Sequence, residues 1–97
     1  MRKLKTTSTF RKDLKKLNAN DTKETTAIIV KLQKDEPLEE KNRDHDLCGN
    51  YEGYRECHIR PNLLLVYKKG EEDEILILKL YRVGSHSAIF DSKKSHV

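Results

Sequence analysis

Apolar side chains recur along this chain first with the period of a helix and later with the period of a strand. Phe10, Leu14 and Leu17 stand at i, i+4 and i+7, while Arg11, Lys12, Lys15 and Lys16 fall on the opposite side. That spacing predicts an amphipathic helix of about three turns over residues 8–17, with Ser8 at its N-cap. Asn18-Ala19-Asn20 interrupts it, and Asp21 with Glu24 three residues on has the spacing of a capping box. A second helix is predicted over residues 21–35, apolar at Ala27, Ile28, Ile29, Val30 and Leu32 and ended by Pro37. The two form an αα-hairpin. Upstream, residues 3–7 read as a short edge strand with Leu4 as its buried candidate.

Residues 39–53 are polar and turn-rich, with Gly49 and Gly53 as breakers, and read as a loop. From Tyr54 the period changes to two, placing Arg55, Cys57 and Ile59 on one face of a strand and Tyr54, Glu56 and His58 on the other. Pro61-Asn62 is a tight turn. Leu63-Leu64-Leu65-Val66-Tyr67 is a nearly continuous apolar strand, as expected of a central position covered on both faces. A hairpin loop centred on Gly70 leads into a third strand, so strands are predicted near 54–60, 63–69 and 74–83. His86 to Phe90 can form a last turn. Helices followed by a meander predict an α+β fold: two N-terminal helices packed on one face of a small antiparallel β-sheet, the other face free. The expected core is Phe10, Leu14, Leu17, Ile28, Leu32, Leu64, Val66, Ile77 and Leu80. A domain over residues 1–90 and a flexible polar tail over 91–97 complete the reading.

Composition narrows this further. At 97 residues the chain suits one domain with a modest core, and its 37% charged residues are offset by the clustering of the 35% that are hydrophobic. The longest apolar run is five residues, far short of the ~20 of a membrane helix, and polar threonines follow the basic start where an export signal has its apolar segment. A soluble protein of the cytoplasm is expected, with Cys48 and Cys57 as free thiols. Net charge is +4, distributed as +7 over residues 1–34, −6 over 35–74 and +3 over 75–97. Such segregation fits a phosphate-rich or an acidic protein partner. No P-loop, GxGxxG or GxSxG is present, so nucleotide-cofactor and serine-hydrolase chemistry has no support.

Candidate chemistry rests on His45 in the loop, His58 on a strand and His86 just after the last strand. Two convergent imidazoles can serve as base and acid near neutral pH. The substrate that suits them and a basic surface is RNA, whose 2′-hydroxyl lies beside its own phosphate and can be cleaved without metal. A cation must stabilise the phosphorane, and Arg55, Arg60 and Arg82 are candidates. His45-x2-Cys48 with Cys57-His58 also offers four zinc-type ligands. Adjacent strand residues point to opposite faces, however, so Cys57 and His58 cannot share an ion, and no metal or cofactor is expected.

Asp44-His45-x-Leu47-x-Gly49, Gly53-Tyr54-Arg55-Glu56-Cys57-His58-Ile59-x-Pro61, Leu64-Leu65-Val66-Tyr67 and Arg82-x-Gly84-Ser85-His86-Ser87-x-Ile89-Phe90 together resemble the successive motifs of the YafQ branch of the RelE/ParE toxin superfamily. The resemblance runs from about Leu4 to Phe90. It implies a RelE-like fold and a type II toxin that enters the ribosomal A site and cuts mRNA. It also implies a cognate antitoxin that holds the toxin inactive, with operator DNA bound only through the complex. By position, His45 and His86 match the general base and acid in either order, His58 the histidine that holds the scissile phosphate, Arg55 the branch's shared arginine, and Phe90 an aromatic that supports the last histidine or stacks on a base. Where such members usually carry Asp, this chain has Asn62, which can orient an imidazole but supplies no charge to it. Two other readings stand beside this one: a non-nuclease ParE-like toxin that binds gyrase, and an inactive homologue acting only in antitoxin or operator binding.

Overall fold

Leu63 to Tyr67 are buried without a break, because they run through the middle of a sheet that is covered on both faces. A computed structural model gives the structure of residues 1–90; the tail expected over 91–97, with His96, lies outside the described residues. The strands are β1 (Lys3–Thr6), β2 (His45–Asp46), β3 (Arg55–Arg60), β4 (Leu63–Glu72) and β5 (Ile75–Gly84). They lie in the order β1-β5-β4-β3-β2. The helices are α1 (Ser8–Lys15), α2 (Ala19–Gln33) and α3 (His86–Phe90). Among the described residues no helix is long and apolar enough to cross a membrane.

The expected α+β architecture is present, with α1 and α2 on one face. Phe10, Ile29 and Leu32 from these helices pack against Cys57, Leu65, Tyr67, Leu78 and Leu80 from the sheet. Leu14, Leu17 and Ile28, expected in the core, are only partly buried at its margin. On the other face Leu64 and Val66 pack with Ile89 of α3. That face is therefore not free: α3 covers one end of it.

Several boundaries differ from the sequence reading, each for a local reason. Thr7, not Ser8, caps α1: its Oγ1 accepts from the Phe10 N–H at 2.9 Å and donates to the Tyr81 carbonyl at 2.8 Å, so the cap is tied to the sheet as well as to the helix. Asn18 caps α2 by accepting from the Asp21 N–H at 2.8 Å, which starts the helix three residues earlier than a cap at Asp21 allows. The sheet is not wholly antiparallel, since β1 runs parallel to β5. Leu4, on that outer strand, is 41% exposed rather than buried. The hairpin turn is not at Gly70, which pairs with Ile77 inside the ladder. It lies at Asp73-Glu74, both at positive φ (49° and 68°) as a two-residue turn between twisted strands requires. The loop over 39–53 contains β2 and two short 3₁₀ turns, Glu40–Asn42 and Gly49–Tyr51.

Candidate active site

The alternation of β3 sends Cys57 to the helix side, where it is fully buried, and Glu56 and His58 to the opposite face. Glu56 is paired across the ladder with His45 of β2 on one side and Val66 of β4 on the other. Its carboxylate, only 6% exposed as a residue, is where two imidazoles meet. Its Oε1 lies 3.6 Å from His45 Nε2 and 3.4 Å from His58 Nε2. A carboxylate that is nearly buried needs partners of this kind, and the Nε2 edges of both rings face it. His45 is held from behind as well, its Nδ1 lying 2.5 Å from the Arg43 carbonyl oxygen. The strand beneath His58 is held by Asn42, whose Nδ2 donates to the His58 carbonyl at 2.8 Å.

β2 has only two residues and its position needs an external cause. Arg55 supplies it from the helix side, reaching Asp44 at 3.3 Å and Asp46 at 2.6 Å, the two residues that flank His45. Behind it the buried Tyr67 donates its hydroxyl to Asp44 and lies 3.3 Å from the Arg55 Nε. Burial, then the bond to Asp44, pushes the Tyr67 phenol up. The bond to Tyr67, followed by those to the two carboxylates, holds the Arg55 guanidinium firmly charged.

His86 opens α3 and is exposed. Gly84, two residues before it, pairs with Leu64, and Leu64 pairs with His58. The third histidine therefore emerges at the end of the sheet where His58 lies. Its ring stands 5.2 Å from that of Phe90, and Phe90 meets Tyr51 edge-on at 5.2 Å. Tyr51 continues to Tyr81, and Tyr81 lies 4.8 Å from Tyr54. An aromatic chain thus crosses the open face from His86 to Tyr54.

The structure brings His45 and His58 together through Glu56; among the described residues no direct contact joins either to His86. Arg55, Arg60 and Arg82 are all engaged with carboxylates. Arg60 pairs with Glu24 and, at 3.3 Å, with Asp21 of α2, which raises the arginine and lowers the Glu24 carboxyl. Arg82 is held by Asp13 of α1 at 2.7 Å and is raised by that bond. Asn62 sits exposed in the turn between β3 and β4. The residue that sequence reasoning passed over is Glu56. Its signal was present: a carboxylate in phase with His58 on the same strand face.

Comparison with known proteins identifies the architecture. The family described as "Bacterial toxin of type II toxin-antitoxin system, YafQ" matches residues 2–91, and the chain belongs to it. The structure of a metal-bound toxin from Helicobacter pylori is similar over 93% of this chain and 100% of that one, with TM-score 0.80 and 40% identity. The Escherichia coli DinJ-YafQ toxin-antitoxin complex contains a chain similar over 92% of this one and 97% of its own length, with TM-score 0.76 and 29% identity. The mRNA interferase toxin YafQ of Escherichia coli K12 is 37% identical over 54 residues, 56% of this chain and 54% of that protein. The matched stretch spans about half the length of the curated relatives it matches.

Proposed function

We propose that this chain is the toxin of a type II toxin-antitoxin pair and an endoribonuclease that cuts mRNA in the ribosomal A site. The observation that carries the reading is the meeting of His45 and His58 on Glu56 Oε1, on the sheet face from which His86 projects. The name of the E. coli relative, an mRNA interferase, supports the substrate class.

In this scheme one of His45 and His86 takes the proton from a 2′-hydroxyl as that oxygen attacks the adjacent phosphorus. The other protonates the departing 5′-oxygen, leaving a 2′,3′-cyclic phosphate and a 5′-hydroxyl. His58 holds the scissile phosphate, and Glu56 keeps His45 and His58 in register with each other. Phe90 supports the His86 ring or stacks on a base. Arg60 and Arg82 reach the phosphate by exchanging a carboxylate for it, whereas Arg55 acts by holding the two aspartates that flank His45. Asn62 orients the site without adding charge.

The H. pylori toxin is described as metal-bound. Among the described residues of this chain no group of three or more His, Cys, Asp or Glu has the spacing to hold a metal ion. The partner is a cognate antitoxin whose acidic segment wraps the basic toxin and covers or distorts the site around His86; that a similar chain forms the E. coli DinJ-YafQ toxin-antitoxin complex supports an antitoxin partner. Operator DNA is bound only through that complex.

Induction of this chain with and without its operon neighbour, followed by mapping of mRNA ends, tests the reading. Cleavage should appear only without the neighbour, and with assembled ribosomes in vitro it should fail on an mRNA carrying a 2′-deoxy nucleotide at the cut site. Asn62→Asp should raise the rate. Products with a 5′-phosphate, or growth arrest without new mRNA ends, would shift the weight to a non-nuclease toxin.

A further inference from the structure

Most cations on the strands of this sheet have an acidic partner, but two that stand together on neighbouring strands have none. Arg2 and Lys69 share Asp35, Lys5 meets Glu72, Arg60 meets Glu24, and Arg82 meets Asp13. Lys68 and Lys79 form no salt bridge among the described residues, although they are directly opposite each other on β4 and β5. Lys79 is also opposite Lys5 across the β1-β5 ladder. Like charges in this relation repel, and a surface selected for stability alone would place an acid at one of them. The arrangement is softened by one group, the ring of Tyr54, whose centroid lies 5.5 Å from Lys68 Nζ and 5.9 Å from Lys79 Nζ. The Lys79 ammonium also reaches the Tyr54 hydroxyl at 3.5 Å.

This cluster faces the same way as the histidines. Lys68 lies two residues along β4 from Val66, the ladder partner of Glu56, so the period of two puts it on the open face. Tyr54, Lys68, Lys79 and Gly70 line a depression of about 240 Å³ there, together with Glu71 and with Glu72, whose carboxylate is taken up by Lys5. Tyr54 is four residues from His58, about 14 Å along the strand, and is the last ring of the aromatic chain that starts at His86. Two ammonium groups outside any salt bridge, beside an aromatic platform that leads to the proposed reaction centre, are what a flexible, stacked polyanion requires.

We propose that Lys68, Lys79 and Tyr54 form a phosphodiester-binding site for single-stranded RNA, gripping the substrate strand away from the scissile bond. The site rests on the nuclease reading for its place in catalysis but on its own geometry for binding. The lysines neutralise a flanking phosphate and the aromatic chain carries the intervening bases towards His86.

The test is the affinity of the full chain for a short 2′-O-methyl RNA oligonucleotide, which binds without being cut, measured against salt. In the Lys68→Gln/Lys79→Gln double variant, affinity at low salt should fall roughly tenfold or more. The slope of log K against log salt should become shallower by about 0.7 per lysine removed. The melting temperature should stay level or rise, since a repelling pair has gone, so failure to fold does not imitate the result. The slope change in a protein that cuts no RNA would support the site while refuting the nuclease reading. Unchanged affinity and slope would overturn the site whatever the cleavage result. A loss seen only in binding to purified ribosomes, with the oligonucleotide unaffected, would overturn the assignment to the substrate strand in favour of ribosomal RNA.

Discussion

The two faces of this sheet are built from the same strands and obey different rules. On the helix side β4 contributes Leu65 and Tyr67 to a continuous apolar core, and the arginines at its rim are matched with carboxylates from α1, α2 or the β2 segment. On the other side the apolar patch shrinks to Leu64, Val66 and Ile89, ringed by aromatics, two imidazoles on one carboxylate, an exposed histidine and an unmatched lysine pair. Alternation along a strand lets one chain segment serve both: Leu65 anchors the fold while its neighbour Leu64 floors the site. Stability is concentrated on one face, and the other is free to carry arrangements that cost stability.

The largest effect should come from emptying the helix-side core. Leu65→Ala removes a fully buried side chain between β4 and the helices, at a cost of about 2–5 kcal/mol, visible as a large fall in melting temperature. Little change in melting would show that the helices do not depend on this face. The converse substitution lies on the open face. His86→Gln keeps size and hydrogen bonding but removes the titratable proton of an exposed side chain. Cleavage should slow roughly a hundredfold or more while melting stays where it was. Wild-type rates in this variant would remove His86 from the acid-base scheme and with it the functional half of the contrast.

Tyr67 is where the two faces communicate, and its substitution should show an intermediate effect on both. Its ring belongs to the helix-side core, yet its hydroxyl holds Asp44 next to His45. Tyr67→Phe keeps the ring and deletes a bond to a charged group, at about 1.5–3 kcal/mol. Loosening of β2 should also lower the cleavage rate, and the His45 ring resonances in NMR should shift while those of His86 do not. If stability falls but His45 is unmoved, the Tyr67-Asp44-Arg55 group serves the core alone.

The sequence made the helices, the central strand and the face of His58 legible, because each is a periodic pattern spanning several residues. What escaped it was fixed by single contacts between distant segments. Thr7 outcompetes Ser8 as a cap because of a bond to Tyr81, which no local pattern contains. Gly70 has the composition of a turn but sits in a ladder that continues two residues further on each strand, since Asp73 and Glu74 accept the positive φ instead. The histidines were visible as residue types. That His45 and His58 share Glu56, and that Arg55 clamps the aspartates on either side of His45, depends on the β2-β3 register. A two-residue strand leaves almost no trace in the sequence.

The smallest effect belongs to the rim of the helix-covered face, at Asp35. This exposed residue follows α2 at φ 57° and accepts from both Arg2 and Lys69 at 2.8 Å, tying the N-terminal segment to β4. The bond to Lys69, and then that to Arg2, hold its carboxyl down at about 2, against 3.8 for the free group. A carboxyl depressed on folding contributes stability above its unfolded pKa and loses it as the pH falls through the folded value. The contribution is therefore complete at neutral pH, declines below about 3.8 and is gone below about 2. Asn tolerates the left-handed backbone, so Asp35→Asn removes the charge without straining the turn. Water screens the pair, so the wild type should melt only slightly above the variant at pH 7. The gap should close as the pH is lowered to 2. A gap that persists at pH 2 would mean that the difference lies in the turn rather than in the charge.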